Sequence, residues 1–249
     1  MFKLKHILLT IAYDGTNYNG WQRQPNGMGI QEKIEEACYK IFRQNLKVIG
    51  ASRTDTGVHA LGQRALIHVD TNIPEDRIPY ALNSVLPEDI VIRDAKEVCE
   101  DFHPRYSAIN KTYYYQILNG RFPIPQYRKI SAFISSHLDI DAMHEAAQYF
   151  VGTHDFAAFC STGGSAKTTV RTIYRASVQK EGPFVTFKVT GNGFLYNMVR
   201  IMTGTLIEIG LGKKEPSDIK QIILSKDRNL AGKTAPPQGL TLVEIQYEE

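Results

Sequence analysis

The chain has 249 residues, 43% of them hydrophobic, and its 29 Lys and Arg against 26 Asp and Glu leave a net charge of +3. That suffices for one large or two small domains with a sizeable core, and it is too mildly basic to announce a nucleic-acid protein, so any RNA contact needs Lys and Arg gathered on one face. No stretch approaches the ~20 apolar residues of a membrane span, and the dispersed Cys38, Cys99 and Cys160 form no CxxC pair, which argues against a zinc knuckle or disulfide framework and fits a reducing cytoplasm.

The start, Met1 to Ala12, has too short an apolar run for a signal peptide and no small-residue cleavage site. His6 to Tyr13 is read as a strand. Ile30 to Phe42 is a helix, with Ile30, Ile34, Ala37, Cys38, Ile41 and Phe42 at helical spacing. Leu46 to Ile49 and Ala65 to Val69 are strands, Pro74 to Leu86 is a helix ended by Pro87, and Ile90 to Val98 is a strand. The order β-α-β-β-α-β is the split pattern of ferredoxin-like domains. The second half repeats it loosely. Thr112 to Leu118 is a strand and Asp141 to Val151 a helix. Val170 to Gln179 and Phe184 to Thr190 form a hairpin around Glu181-Gly182-Pro183. Phe194 to Leu211 is a long helix, Ser217 to Leu224 a short one, and Leu240 to Tyr247 the last strand. Gly120 to His137 is Pro-rich and aperiodic, a candidate long functional loop. The expected fold is α+β: two ferredoxin-like, RRM-like (βαββαβ) halves, residues 1–104 and 105–249, with a joined antiparallel sheet and a central cleft.

The stretch Ala51 to Ala60 packs Arg53, Asp55 and His59 into turn-prone sequence between two apolar runs, where a rigid scaffold presents side chains. The ordinary reading of Asp55 is an Asx-turn residue. The sharper one is a catalytic carboxylate, nucleophile or base, with Arg53 holding it ionised or reaching into an RNA helix. On the helix from Phe194 to Leu211, Phe194, Met198, Ile201, Met202, Thr205 and Ile209 form one face and Asn197, Arg200, Gly204 and Glu208 another. The ordinary reading of the second face is a solvated one. The preceding Gly191-Asn192-Gly193 permits a tight turn at a phosphate-attracting helix end. Tyr113 and Tyr115 share a strand face opposite Tyr114, and a tyrosine at a cleft wall can stack on a base. The histidines show no HExxH spacing, so no metal site is expected. Ser165-Ala166-Lys167-Thr168 lacks P-loop spacing.

Six segments together resemble the pseudouridine synthase family that acts on tRNA: YDGTNYNGWQRQ (Tyr13 to Gln24), SRTDTGVHALGQ (Ser52 to Gln63), FHPRYSAINKTYYY (Phe102 to Tyr115), HDFAAF (His154 to Phe159), GNGFLYNMVRIMTGTLIEIGLG (Gly191 to Gly212) and TAPPQGL (Thr234 to Leu240). The resemblance implies isomerisation of uridine to pseudouridine in the anticodon stem-loop, at nucleotides 38 to 40, by a cytoplasmic homodimer that binds tRNA without cofactor or metal. It implies that Asp55 is the essential aspartate, that Arg53 intrudes to displace the target base and that Tyr113 stacks on uracil. Arg200 is then placed to pair with the aspartate, Leu240 lines the pocket, and Asn197 beside Arg200 is a candidate substrate-binding residue. The alternative is a non-catalytic RNA-binding module with RRM-like halves.

Overall fold

A computed structural model describes residues 4–25, 27–164 and 166–248. Ser165 of the Ser-Ala-Lys-Thr stretch and the first three residues of the start lie outside them. The protein is a mixed α/β structure that divides into two compact units, Met1–Ile109 with Leu242–Glu249, and Asn110–Thr241.

In the first unit the elements are β1 (Leu4–Tyr13), α1 (Ile30–Phe42), β2 (Ile49–Gly50), β3 (His59–Asp70), α2 (Ile78–Asn83) and β4 (Ile90–Glu97), in the expected order. β1 runs antiparallel to both β3 and β4, with Ile7 opposite Ile67 on one side and Glu97 on the other. β2 pairs β3 through Ile49 and Leu66. Alternation along β1 buries Ile7, Leu9, Ile11 and Tyr13, and helical spacing buries Ile30, Ile34, Ala37 and Cys38 of α1. Burial pushes the Cys38 thiol up to about 12, so this sulfur is packing rather than a nucleophile.

Three boundaries differ clearly from the sequence reading, the first being β3, which starts at His59 rather than Ala65. The strand expected over Leu46 to Ile49 begins only at Ile49 because α1 claims Val48: Gln31 Nε2 donates to its carbonyl (3.1 Å) and Glu35 Oε1 accepts from its amide (3.3 Å). The helix expected over Pro74 to Leu86 is a 3-10 turn, Glu75–Arg77, followed by the six-residue α2. It stops because the Asn83 side chain takes both backbone groups of Ile92, at 2.8 and 2.9 Å.

The second unit holds β5 (Ala108–Asn119), β6 (Ala132–Ile134), α3 (Ile140–Gln148), β7 (Gly152–Asp155), β8 (Val170–Glu181), β9 (Phe184–Gly191), α4 (Met198–Gly210) and α5 (Asp218–Ser225). β9 lies between β5 and β8, with Phe187 opposite Tyr115 and Val178. The last strand, β10 (Leu240–Tyr247), starts in this unit, but the chain from residue 242 onward belongs to the first. Two strands were not anticipated. β6 lies inside the stretch read as a loop and runs parallel to β5, so the sheet is mixed rather than wholly antiparallel. β7 pairs β8 through a short polar run, His154 opposite Arg171. Both are too short to show a period of two.

α4 begins at Met198, not Phe194, because Asn197 takes a left-handed conformation at φ 60. Its expected solvated face is also covered. A Cβ on Gly204 would stand 1.7 Å from the Lys233 carbonyl oxygen, and the Gly232 amide donates to Thr205 Oγ1 at 2.9 Å. α4 is thus apolar nearly all round because it is buried nearly all round.

Candidate active site

In the first unit the loop from Ala51 to Val58 is fastened along its length. The Ala51 backbone amide donates to the Arg64 carbonyl (2.8 Å), and Gln63 Nε2 donates to the Ser52 carbonyl (2.8 Å). Thr54 is buried; its hydroxyl bonds Tyr13 Oη at 2.7 Å and its carbonyl accepts from the Trp21 amide at 3.1 Å. Across Asp55 itself, the Val58 amide returns to the Asp55 carbonyl (3.1 Å), the turn that Asp-Thr-Gly favours. Gly57, at φ 76, donates to the Tyr18 carbonyl at 3.3 Å. The segment from Asp14 to Trp21 therefore lies directly on the aspartate loop. Gly15 and Gly20 permit that approach: a Cβ would stand 2.0 Å from the Val58 oxygen in one case and 2.4 Å from the Thr54 oxygen in the other. The far side of the same segment receives the first turn of α1, whose Ile30 and Gln31 amides donate to Gly20 and Trp21.

The result is a half-buried Asp55 on an immobilised turn, with an exposed Arg53 two residues before it. His59 is buried at 6% exposure. Its Nδ1 lies 3.1 Å from both the Gly15 amide and an Asp14 oxygen, contacts that ask for opposite roles. Asp14 already accepts from the Thr16 amide and hydroxyl, whereas the Gly15 amide needs an acceptor. His59 Nδ1 therefore accepts from the Gly15 amide and ties the end of the loop to that segment. In the same segment, burial and then the hydrogen bond to Asp89 raise the Tyr18 phenol far above its ordinary value, keeping it a donor at 2.5 Å.

In the second unit Arg200 lies in the first turn of α4 and is half-buried. Its Nε donates to the Ala235 carbonyl and its Nη1 to Asn197 Oδ1, both at 2.8 Å. Asn197 in turn donates through Nδ2 to Ser161 Oγ at 3.0 Å. The left-handed Asn197 is thus what turns an amide acceptor onto the guanidinium. Ala235 also donates its amide to the Arg200 carbonyl (3.1 Å), and Tyr115 donates its hydroxyl to the Pro236 carbonyl (2.7 Å). Burial raises the Tyr115 phenol far above its usual value, and the charge of Arg200 partly offsets this. Gly239 passes so close to Tyr115 that a Cβ would meet its ring at 2.5 Å. Leu240 follows at 6% exposure, and Tyr113, at 5%, meets Phe194 edge to face with centroids 5.1 Å apart. The structure therefore brings Arg200, Asn197 and the Ala235–Leu240 segment together.

A family model described as tRNA pseudouridine synthase matches residues 9–107 and 146–248, spans that contain the aspartate loop, α4 and β10. This chain belongs to the tRNA pseudouridine synthase family. It is 51% identical to tRNA pseudouridine synthase A of Acetivibrio thermocellus, covering 98% of this chain and all of that protein. It is 50% identical to the protein of that name from Caldicellulosiruptor bescii, with the same coverage. It is also 47% identical to tRNA pseudouridine synthase A 2 of Clostridium perfringens, again over 98% of this chain and all of the relative. The family isomerises uridine in tRNA.

Sequence reasoning named Asp55, Arg53 and Arg200 but assigned no role to the residues that immobilise them. Gly15, Gly20 and Thr54 hold the aspartate loop; Ala235, and Ser161 through Asn197, hold the arginine. The signal available was the pair of glycines inside the segment Asp14 to Trp21, Gly15 and Gly20, whose purpose shows only once the backbone they touch is known. Among the described residues no cluster of three His, Cys, Asp or Glu is arranged to hold a metal ion, and no helix is long and apolar enough to cross a membrane.

Proposed function

We propose that this protein converts uridine to pseudouridine in the anticodon stem-loop of tRNA, at nucleotides 38 to 40, through Asp55 and without cofactor or metal. The observation that carries the reading is a half-buried carboxylate on a turn tied at both ends, inside the span the family model matches. In the reaction the N1–C1′ bond breaks, the uracil turns, and C5 bonds to C1′. C5 gives up its proton and N1 gains one, so nothing is oxidised or hydrolysed overall. A carboxylate serves this by attacking C1′, adding to C6 or removing a ribose proton.

The residues assigned to this work are Asp55, Arg53, Tyr113, Arg200, Asn197 and Leu240. Arg53 fills the space left by the flipped base, whose extrusion costs a few kcal/mol. Tyr113 stacks on the uracil and Leu240 packs its edge. Arg200 gives the aspartate the countercharge that an ion in a partly dry pocket needs, and Asn197 serves the substrate by aiming Arg200. The enzyme works as a homodimer in the cytoplasm. The deciding experiment maps pseudouridine by carbodiimide labelling on a tRNA panel with wild type and Asp55→Asn. Signal at 38 to 40 that disappears in the variant, with tRNA binding kept, supports the reading. Full signal in the variant rejects it, and binding with no product from either protein favours a non-catalytic RNA-binding module.

A further inference from the structure

Between Asp101 and Asp139 the chain carries five Lys and Arg and no carboxylate. In a protein of net charge +3, that is the local concentration of positive charge which composition alone does not reveal. Three of the five, Arg121, Arg128 and Lys129, fall in the segment between β5 and β6, and all three are exposed. The segment is not slack. At its ends, Asn119 donates its amide to the Ile134 and Ser136 carbonyls (2.9 and 2.7 Å). In the middle, Pro123 and Pro125 restrict the backbone, a 3-10 turn spans Pro125–Tyr127, and Ser131 Oγ donates to the Tyr127 carbonyl at 2.9 Å. Tyr127 anchors it inward, its ring edge-on to Phe184 with centroids 4.8 Å apart.

A segment pinned in this way nonetheless leaves Phe122 69% exposed and Ile130 44% exposed. The Arg121 guanidinium carbon lies 5.1 Å from the centre of the Phe122 ring. An aromatic face held outward beside cations on a rigid, acid-free strap is the arrangement by which proteins stack a single-stranded base and hold the adjoining phosphates. Neither β6 nor its parallel pairing with β5 requires the apolar exposure, so a purely structural role does not account for it.

We propose that the strap from Arg121 to Ile130 is an RNA-contact surface of its own: Phe122 stacks on an unpaired nucleotide of the bound tRNA while Arg121, Arg128 and Lys129 neutralise flanking phosphates. This rests on the tRNA reading of the preceding subsection, and it adds a contact whose loss weakens binding without touching the chemistry. The test uses an unmodified full-length tRNA transcript and the variants F122A, R121A/F122A and R128E/K129E. F122A weakens binding about 5- to 150-fold, the worth of one base stack. R128E/K129E lowers the slope of log affinity against log salt by roughly 1.5. Single-turnover rates at saturating tRNA stay at the wild-type value in all three.

Arg128 also donates to the Pro125 carbonyl at 2.9 Å, so R128E/K129E can unfold the strap. R121A/F122A removes no backbone bond and keeps the proposal falsifiable. A photo-crosslinking residue at position 122 provides the second readout. Crosslinks to tRNA support the proposal; crosslinks only to another copy of the protein, or unchanged affinity in both Phe122 variants, overturn it. Failure here leaves pseudouridine formation by the wild type intact, so the two readings fall separately.

Discussion

In the proposed mechanism Asp55 must react from a fixed position, and the turn that carries it is held by backbone partners, Tyr18, Trp21 and Arg64. Asp55→Ala should abolish pseudouridine formation with tRNA affinity changed less than threefold, read by carbodiimide mapping beside filter binding; product formation at the wild-type rate rules out the mechanism. Arg200 poses the complementary problem of aim. With Nε and Nη1 committed to Ala235 and Asn197, its guanidinium plane is set. Arg200→Ala should lower the single-turnover rate by about 100-fold or more, the usual cost of losing one preorganised charge partner. Asn197→Ala should cost about tenfold through misaim alone, with KM unmoved. Wild-type kinetics for Arg200→Ala would remove that residue from the active site.

At the scale of elements, the segment Asp14 to Trp21 works as a brace between α1 and the aspartate loop. Gly20 is its most sensitive point, since it combines φ 86 with a Cβ position 2.4 Å from the Thr54 oxygen. Gly20→Ala should destabilise the first unit by roughly 2 kcal/mol or more, from left-handed strain and overpacking together, and should lower turnover in proportion to loop displacement. A denaturant midpoint equal to wild type counts against the brace.

The strand pair β1–β3 makes a different prediction. His6 and His68 stand opposite each other with their Nδ1 atoms 2.7 Å apart. Burial, and then the neighbouring His6, lower the pKa of His68. The folded state therefore binds a proton at this site less readily than the unfolded chain, whose histidine titrates near 6.5. The stability it contributes is complete above about pH 6.5 and is lost as pH falls. The melting temperature should decline from pH 7 to pH 5, and less steeply in His68→Asn. Identical slopes in the two proteins reject the assignment.

For the whole molecule, the charge argument concerns distribution rather than total. Affinity for tRNA should fall steeply with salt because each neutralised phosphate releases counterions. A flat dependence between 50 and 300 mM salt contradicts a binding surface built from lysine and arginine.

The sequence by itself determined the elements with a clear period. α1 begins at Ile30 and ends at Phe42 as read, and β10 spans Leu240 to Tyr247 as read. It also put Asp55 forward as the candidate carboxylate, because six motifs in one order are more specific than any turn signal. Tertiary structure alone decided the remainder. It showed that α4 starts at Met198, that its Gly204 face is covered by the Lys233 backbone, that β6 and β7 exist, and that the chain from Leu242 rejoins the first unit. It also supplied the partners that hold Asp55 and Arg200 still. The physical reason is common to all of these. They depend on backbone groups meeting across many residues of chain, and local periodicity carries information only about the neighbours a residue has along its own helix or strand.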